Sequence, residues 1–157
     1  MSTDDVPPDE ALPEAAPAGT PPPDLGIVDA LAQMSFLVQG ALGKVAADHG
    51  LSVIQLRLLG VLRDREPGMQ ELARHLGLDK SSMTGLVTRA ERRDLLRRTP
   101  SPDDGRAVRV SLTPQGRDLA RAAEAAAAGE IRALTAHLTG AQRTQLSLLA
   151  STLVARG

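Results

Sequence analysis

MQELARHLGLDKSSMTGLVTRAERRDLLRRTPSPDDGRAVRVSLT, residues 69–113, decides the fold. Glu71, Leu72, His75 and Leu76 fit a short helix over 71–76, and Gly77-Leu78 makes a turn. Asp79 is a good N-cap for a second helix over 80–93. Two strand-like segments follow at 95–99 and 107–112, separated by the turn formers PSPDDG. Val108 and Val110 alternate with Arg109 and Ser111, which predicts one apolar and one polar face. The order is helix, turn, helix, then an arginine-bearing hairpin. A helix in such a unit can enter a DNA major groove while the hairpin holds the neighbouring backbone or minor groove.

The helix over 80–93 divides cleanly. Met83, Leu86, Val87 and Ala90 fall at helical spacing and are expected to face inward. Ser81, Ser82, Thr84, Gly85 and Thr88 are left on or near the open face, flanked by Lys80 and Arg89. Small hydroxyls let a helix sit deep and hydrogen-bond to bases or phosphates, and Arg can read guanine through O6 and N7. The plainer alternative is that the hydroxyls only cap and solvate an amphipathic helix. Arg92, Arg93, Arg97 and Arg98 suit phosphate contacts, or pairing with Glu91 and Asp94. In the tip, Arg106 suits a narrow minor groove with Asp104 holding its guanidinium; otherwise the two form a surface ion pair.

Outward from this centre the chain is helical. Ile27, Leu31, Met34, Val38, Leu42 and Val45 make one stripe on a helix over 25–48 that His49-Gly50 ends. A helix over 52–64 should turn Val53, Leu56, Leu59 and Val61 or Leu62 inward and stop at Pro67-Gly68. Thr113-Pro114 opens a long helix that is predicted to run through the Ala-rich stretch 122–128 to about residue 138. Thr139-Gly140 breaks the chain before a last helix carrying Leu146, Leu149 and Leu153. Long helices with apolar stripes at both chain ends predict packing against a second copy, as a homodimer.

Composition narrows the function. With no Cys among 157 residues, disulfides and thiolate metal sites are excluded, which fits a reducing, cytoplasmic setting. Phe36 is the one aromatic residue, expected in core or dimer packing. No uninterrupted apolar run approaches the roughly 18 residues of a membrane span, so no membrane partner is expected, and the acidic start lacks a signal-peptide pattern. Residues 1–24 hold six acids, no Lys or Arg, and seven of the eleven prolines; they read as a disordered tail, alternatively as an acidic mimic of DNA. Without those acids the 18 basic residues face 13 acidic ones, a formal +5 over 25–157 that suits an anionic partner. His49, His75 and His137 show no ligand spacing, and no metal or cofactor is expected; His49 and His137, near helix ends, are the pair to check. Gly40-Ala41-Leu42-Gly43-Lys44 lacks P-loop spacing and the following hydroxyl, and no nucleophile elbow or HExxH occurs, so an enzyme is not expected.

ELARHLGLDKSSMTGLVTRAERRDLLRR, SPDDGRAVRVSLTPQG and, upstream, LSVIQLRLLGVL together resemble the MarR family of winged helix-turn-helix transcriptional regulators. The resemblance covers residues 25–157 and is most specific over 71–116. It implies a mainly α fold with a small β-wing: six helices and a two- to three-stranded antiparallel hairpin. Residues 51–113 would form the DNA-binding lobe, and 25–50 with 114–157 the dimerisation helices. It further implies Ser81, Ser82, Thr84 and Arg89 on the recognition helix, Arg106 at the wing tip and Asp104 supporting it. Double-stranded DNA, a second copy and a small-molecule effector between the dimer helices and the lobe are the implied partners. The implied function is a ligand-responsive repressor on a pseudopalindromic operator. A sequence-independent architectural DNA binder or a winged-helix protein-interaction module is the alternative. Two departures stand out: Asp94 where the family usually has Gly, a position favouring the left-handed conformation, and Ala90 where a core Leu is usual.

Overall fold

Local capping sets the element boundaries in the computed structural model, which describes residues 24–101 and 107–156. Helix α1 spans Gly26–Asp48, α2 Val53–Leu62, α3 Met69–Leu76 and α4 Lys80–Arg92; strands β1 Leu96–Pro100 and β2 Val108–Leu112 precede α5 Pro114–Leu134 and α6 Gly140–Val154. The predicted order of eight elements is the observed one. Ser52 and Gln55 form a reciprocal capping box at the start of α2, and Thr139 with Gln142 repeats it for α6. Gly77, at φ 66°, ends α3 in the left-handed conformation, with Leu78 N–H donating to the Ala73 carbonyl at 2.9 Å. The expectations for residues 1–23 of the 1–24 tail, and for Asp104 and Arg106, lie outside the described residues.

Strands β1 and β2 pair antiparallel, with Leu96 opposite Leu112 and Arg98 opposite Val110. A third short partner is Gly68, bridged to Arg109, with Val110 N–H donating to the Pro67 carbonyl at 3.0 Å. The α2–α3 connection therefore covers the flank of β2. Ser111, predicted on the polar face, is instead buried at 3% exposure, its hydroxyl facing Arg97 Nε at 3.4 Å.

The core is aliphatic, as a chain with a single aromatic residue requires. Leu58, Leu59 and Leu62 of α2, Leu72 and Leu76 of α3, all four predicted residues of α4, and Leu95, Leu96, Val110 and Leu112 of the wing close on one another. Helix α2 lies at the centre, touching α1, α3, α5 and β2. Helix α2 departs from the expected inward set: Val53 is 38% exposed, and Leu58, outside that set, is fully buried. A helix with apolar residues on several faces, packed by four neighbours, carries no single stripe for periodicity to find. Helix α5 stops four residues early, at Leu134. Thr135 Oγ1 donates back to the Ile131 and Arg132 carbonyls, and Arg143 Nη1 takes the Leu138 carbonyl at 2.6 Å, an alternative to continuing the helix.

Asp94, at φ 55°, is the only non-glycine with positive φ among the described residues. It turns the chain from α4 into β1, the position where departure from the usual Gly was noted. We expect Asp94→Gly to raise stability by about 0.5–1 kcal/mol by relieving the left-handed strain, and Asp94→Val to lower it by at least ~1 kcal/mol, read from urea unfolding. Ala90 is buried at 1% exposure among core neighbours.

The chain-end helices are different. Helix α6 buries none of its residues, and α1 buries only Val45 and Ala46, at its C-terminal end. Ile27 at 72% and Phe36 at 70% exposure lie open, so Phe36 is not core of this chain. Counting uninterrupted apolar residues also missed one property of α1: the helix is 23 residues long and holds an 18-residue window of mean hydropathy 1.2, long and apolar enough by length and composition to cross a membrane. Polar residues such as Asp29 and Gln33 break the run and lower the average, but the apolar residues around them still carry the window to that value.

Candidate nucleic-acid interface

Asp79 caps the start of α4, whose open face is the candidate surface. Its Oδ1 accepts from Ser81 N–H at 2.8 Å and Ser82 N–H at 2.9 Å, two helix-terminal donors without intrahelical partners. The Ser81 hydroxyl donates to Oδ1 and the Ser82 hydroxyl to Oδ2, each at 2.6 Å. These hydroxyl bonds, then the backbone ones, hold the Asp79 carboxyl well below the ordinary carboxylate range, so it is ionised wherever the protein is folded at neutral pH. With Met83, Leu86, Val87 and Ala90 buried, the opposite face carries Ser81, Ser82, Thr84 and Arg89 exposed and Gly85 and Thr88 half-buried. Lys80 stands exposed at the helix start. Gly85 leaves room for the Arg89 guanidinium, whose Nη1 lies 3.2 Å from where a Cβ at Gly85 would sit.

The arginines behind the helix separate into different roles. Arg97 is exposed on β1. Arg93 Nη1 donates to the Gly50 carbonyl at 2.9 Å, tying the end of α4 to the α1–α2 turn. Arg98 is held on four sides: Nη1 meets Glu91 Oε2 at 2.6 Å, its backbone N–H donates to Glu91 Oε1 at 3.1 Å, and Nη2 donates to Thr88 Oγ1 at 3.1 Å and the Thr84 carbonyl at 3.4 Å. Of its two sequence readings, pairing with Glu91 is the one that the geometry fills. Arg98 thus clamps the wing to α4, and the signal was a Glu seven residues earlier, across a turn whose angle periodicity cannot give. We expect Arg98→Ala to weaken operator binding roughly tenfold while leaving the slope of log affinity against log salt unchanged. Lys80→Ala should lower that slope by about 1, as loss of a phosphate contact does. Anisotropy titrations over a salt series distinguish the two; a flatter slope in Arg98→Ala would make it a phosphate contact.

The histidines are engaged or exposed. His49 Nδ1–H donates to the Val45 carbonyl at 2.9 Å, capping α1, and His75 Nε2 accepts from Arg65 at 3.0 Å. His137 is exposed, and among the described residues no three His, Asp or Glu side chains gather as metal ligands would.

Two helices joined by a Gly turn, the second with an open polar face, and a hairpin clamped beside it define a winged helix-turn-helix protein. A MarR-family profile matches residues 49–107. The chain is 31% identical over 111 residues to the homoprotocatechuate degradative operon repressor of Escherichia coli, covering 69% of this chain and 74% of that one. It is 39% identical over 72 residues to the transcriptional repressor NicR of Pseudomonas putida, covering 45% of this chain and 46% of the relative, about half its length. Among solved structures, CouR from Rhodococcus jostii bound to p-coumaroyl-CoA superposes with a TM-score of 0.70 at 26% identity, over 81% of this chain and 90% of that one. The chain belongs to the MarR family, whose members are transcriptional regulators and not enzymes.

Proposed function

We propose that this protein is a sequence-specific, ligand-responsive DNA-binding repressor that acts in the cytoplasm as a homodimer on a pseudopalindromic operator. The observation that carries the reading is the open face of α4, where capped hydroxyls and Arg89 are held beside an arginine-bearing wing by the Arg98–Glu91 clamp. Two copies related by a dyad would set their recognition helices about 34–36 Å apart, one turn of B-DNA. The exposed apolar residues of α1 and α6, among them Ile27, Phe36, Leu149 and Leu153, supply the surface for that pairing.

The effector reading rests on a cavity of about 220 Å³ between α1, α2 and α5, walled by Leu42, Leu56, Leu59, Ala120 and Ala123 and also lined by Arg57, Arg63 and Glu124. Arg63 is already paired with Asp64 and Glu124; Arg57 makes no such pair among the described residues. Apolar walls with a guanidinium in the lining suit a small, largely apolar anion. CouR was solved with p-coumaroyl-CoA, and Bordetella bronchiseptica BpsR is described as regulated by 6-hydroxynicotinic acid. A larger cavity of about 440 Å³ lies against Lys80, Met83 and Thr84, and belongs to the DNA-facing groove.

Selection of bound DNA from a random library tests the reading. A dyad-symmetric consensus is expected. Arg89→Ala should relax preference at the base it reads by about 1–3 kcal/mol, whereas Arg106→Ala should weaken binding to all sequences alike. Equal affinity for random and selected DNA at matched salt would instead make the protein an architectural binder.

A further inference from the structure

The hydroxyls of α4 are not free to meet DNA with either hydrogen-bonding polarity. An ionised carboxylate only accepts, so the contacts of Ser81 Oγ and Ser82 Oγ with Asp79, each 2.6 Å, consume both serine protons. A backbone carbonyl also only accepts, so Thr84 Oγ1, 2.8 Å from the Lys80 carbonyl oxygen, spends its proton there. Thr88 is the reverse case. The Arg98 guanidinium has no lone pair to offer, so Nη2 donates to Thr88 Oγ1 at 3.1 Å and the threonine proton is left over.

We propose that α4 presents DNA with a fixed polarity, with lone pairs from Ser81, Ser82 and Thr84 and protons from Arg89 and Thr88, and so selects bases carrying an exocyclic amino group opposite the first three. In the major groove that group is N6 of adenine or N4 of cytosine. Phosphate oxygens carry no proton at neutral pH and cannot answer an outward-facing lone pair, so only base edges match these three hydroxyls. Thr88 and Arg89 can donate to guanine N7 and O6, to other base acceptors or to phosphate. A hydroxyl reversed to donate to phosphate would have to abandon its bond inside the helix. The inference rests on the reading of α4 as the helix that enters the major groove.

The test uses the full chain and the consensus recovered by library selection. Each adenine of a half-site is replaced in turn by purine, which lacks the 6-amino group, and each cytosine by the pyrimidinone that lacks the 4-amino group. We expect amino deletion at one or two positions per half-site to weaken binding of the unaltered protein about five- to tenfold. Ser82→Ala or Thr84→Val should bind the intact operator more weakly and lose that sensitivity, while neutralising single phosphates as methylphosphonates affects variant and parent alike. The two base analogues tell adenine from cytosine as the source of the proton. A clear consensus whose affinity ignores every amino deletion, or a Thr84→Val protein that alone becomes insensitive to a methylphosphonate, would overturn the polarity assignment and leave the regulator reading standing. Failure to recover any consensus would overturn both.

Discussion

Gly116→Ala is expected to cost the fold about 3 kcal/mol or more. A Cβ built on Gly116 would lie 1.7 Å from the Leu95 carbonyl oxygen and 2.7 Å from its carbon, both backbone atoms that cannot rotate aside. That carbonyl also accepts from Thr113 N–H at 3.2 Å, and Gly116 N–H donates to Thr113 Oγ1 at 2.9 Å. The methyl group would therefore push the first turn of α5 away from the α4–β1 junction and break its cap. With a urea dependence of about 1–3 kcal/mol/M, the unfolding midpoint should fall by roughly 1 M or more. Gly129 is the control on the same helix: nothing lies within 4 Å of its absent Cβ, and Gly129→Ala should stabilise by about 0.5–1 kcal/mol. An unchanged midpoint for Gly116→Ala would mean that α5 does not press on Leu95 in solution.

Leu149→Asp combined with Leu153→Asp is expected to convert the protein to a monomer without unfolding it. Both leucines are nearly 60% exposed in the single chain, and α6 buries none of its residues there, so charge at these positions removes no intramolecular core contact. In a dimer the same carboxylates would be desolvated against apolar partners, which no interface core tolerates without pairing. Joined lobes bind the second half-site at high effective concentration, so operator affinity should fall about 10²–10⁴-fold while helical content is retained. Light scattering gives the mass and anisotropy the affinity. A variant that remains a dimer would place the interface elsewhere than α6.

How much of this could be read from the sequence differs by element. In α3 and α4 the signals agree: Gly77 for a left-handed turn, Asp79 for a cap, and Met83, Leu86, Val87 and Ala90 on one face, so boundaries and burial were both legible. Helix α2 offered Leu56, Leu58, Leu59 and Leu62 almost consecutively, and four packing partners select among them in a way that no period records. Ser111 looked like a polar-face residue, yet it is buried with its hydroxyl beside Arg97 across the hairpin, a packing that strand alternation cannot give. The restriction at Gly116 belongs to contact between segments some twenty residues apart, and Gly in a helix ordinarily signals nothing of that kind. At the candidate site, Ser81, Ser82, Thr84 and Arg89 were legible as an open face, whereas the clamping role of Arg98 needed the angle between hairpin and helix. The apolar stripes of α1 and α6 were legible because their residues outnumber the neighbours available to cover them, which is why they stay exposed.

Thr113 ties three pieces of chain at one point. Its hydroxyl donates to the Asp94 carbonyl at 2.6 Å and accepts from Gly116 N–H, while its own N–H reaches the Leu95 carbonyl. The residue is buried, so water does not compete for these bonds. The end of α4, the wing and the long α5 meet there, making Thr113 a fulcrum. A tilt of α5 at its far end would be carried to α4 as rotation about that point, the longer arm of the lever lying toward the chain terminus.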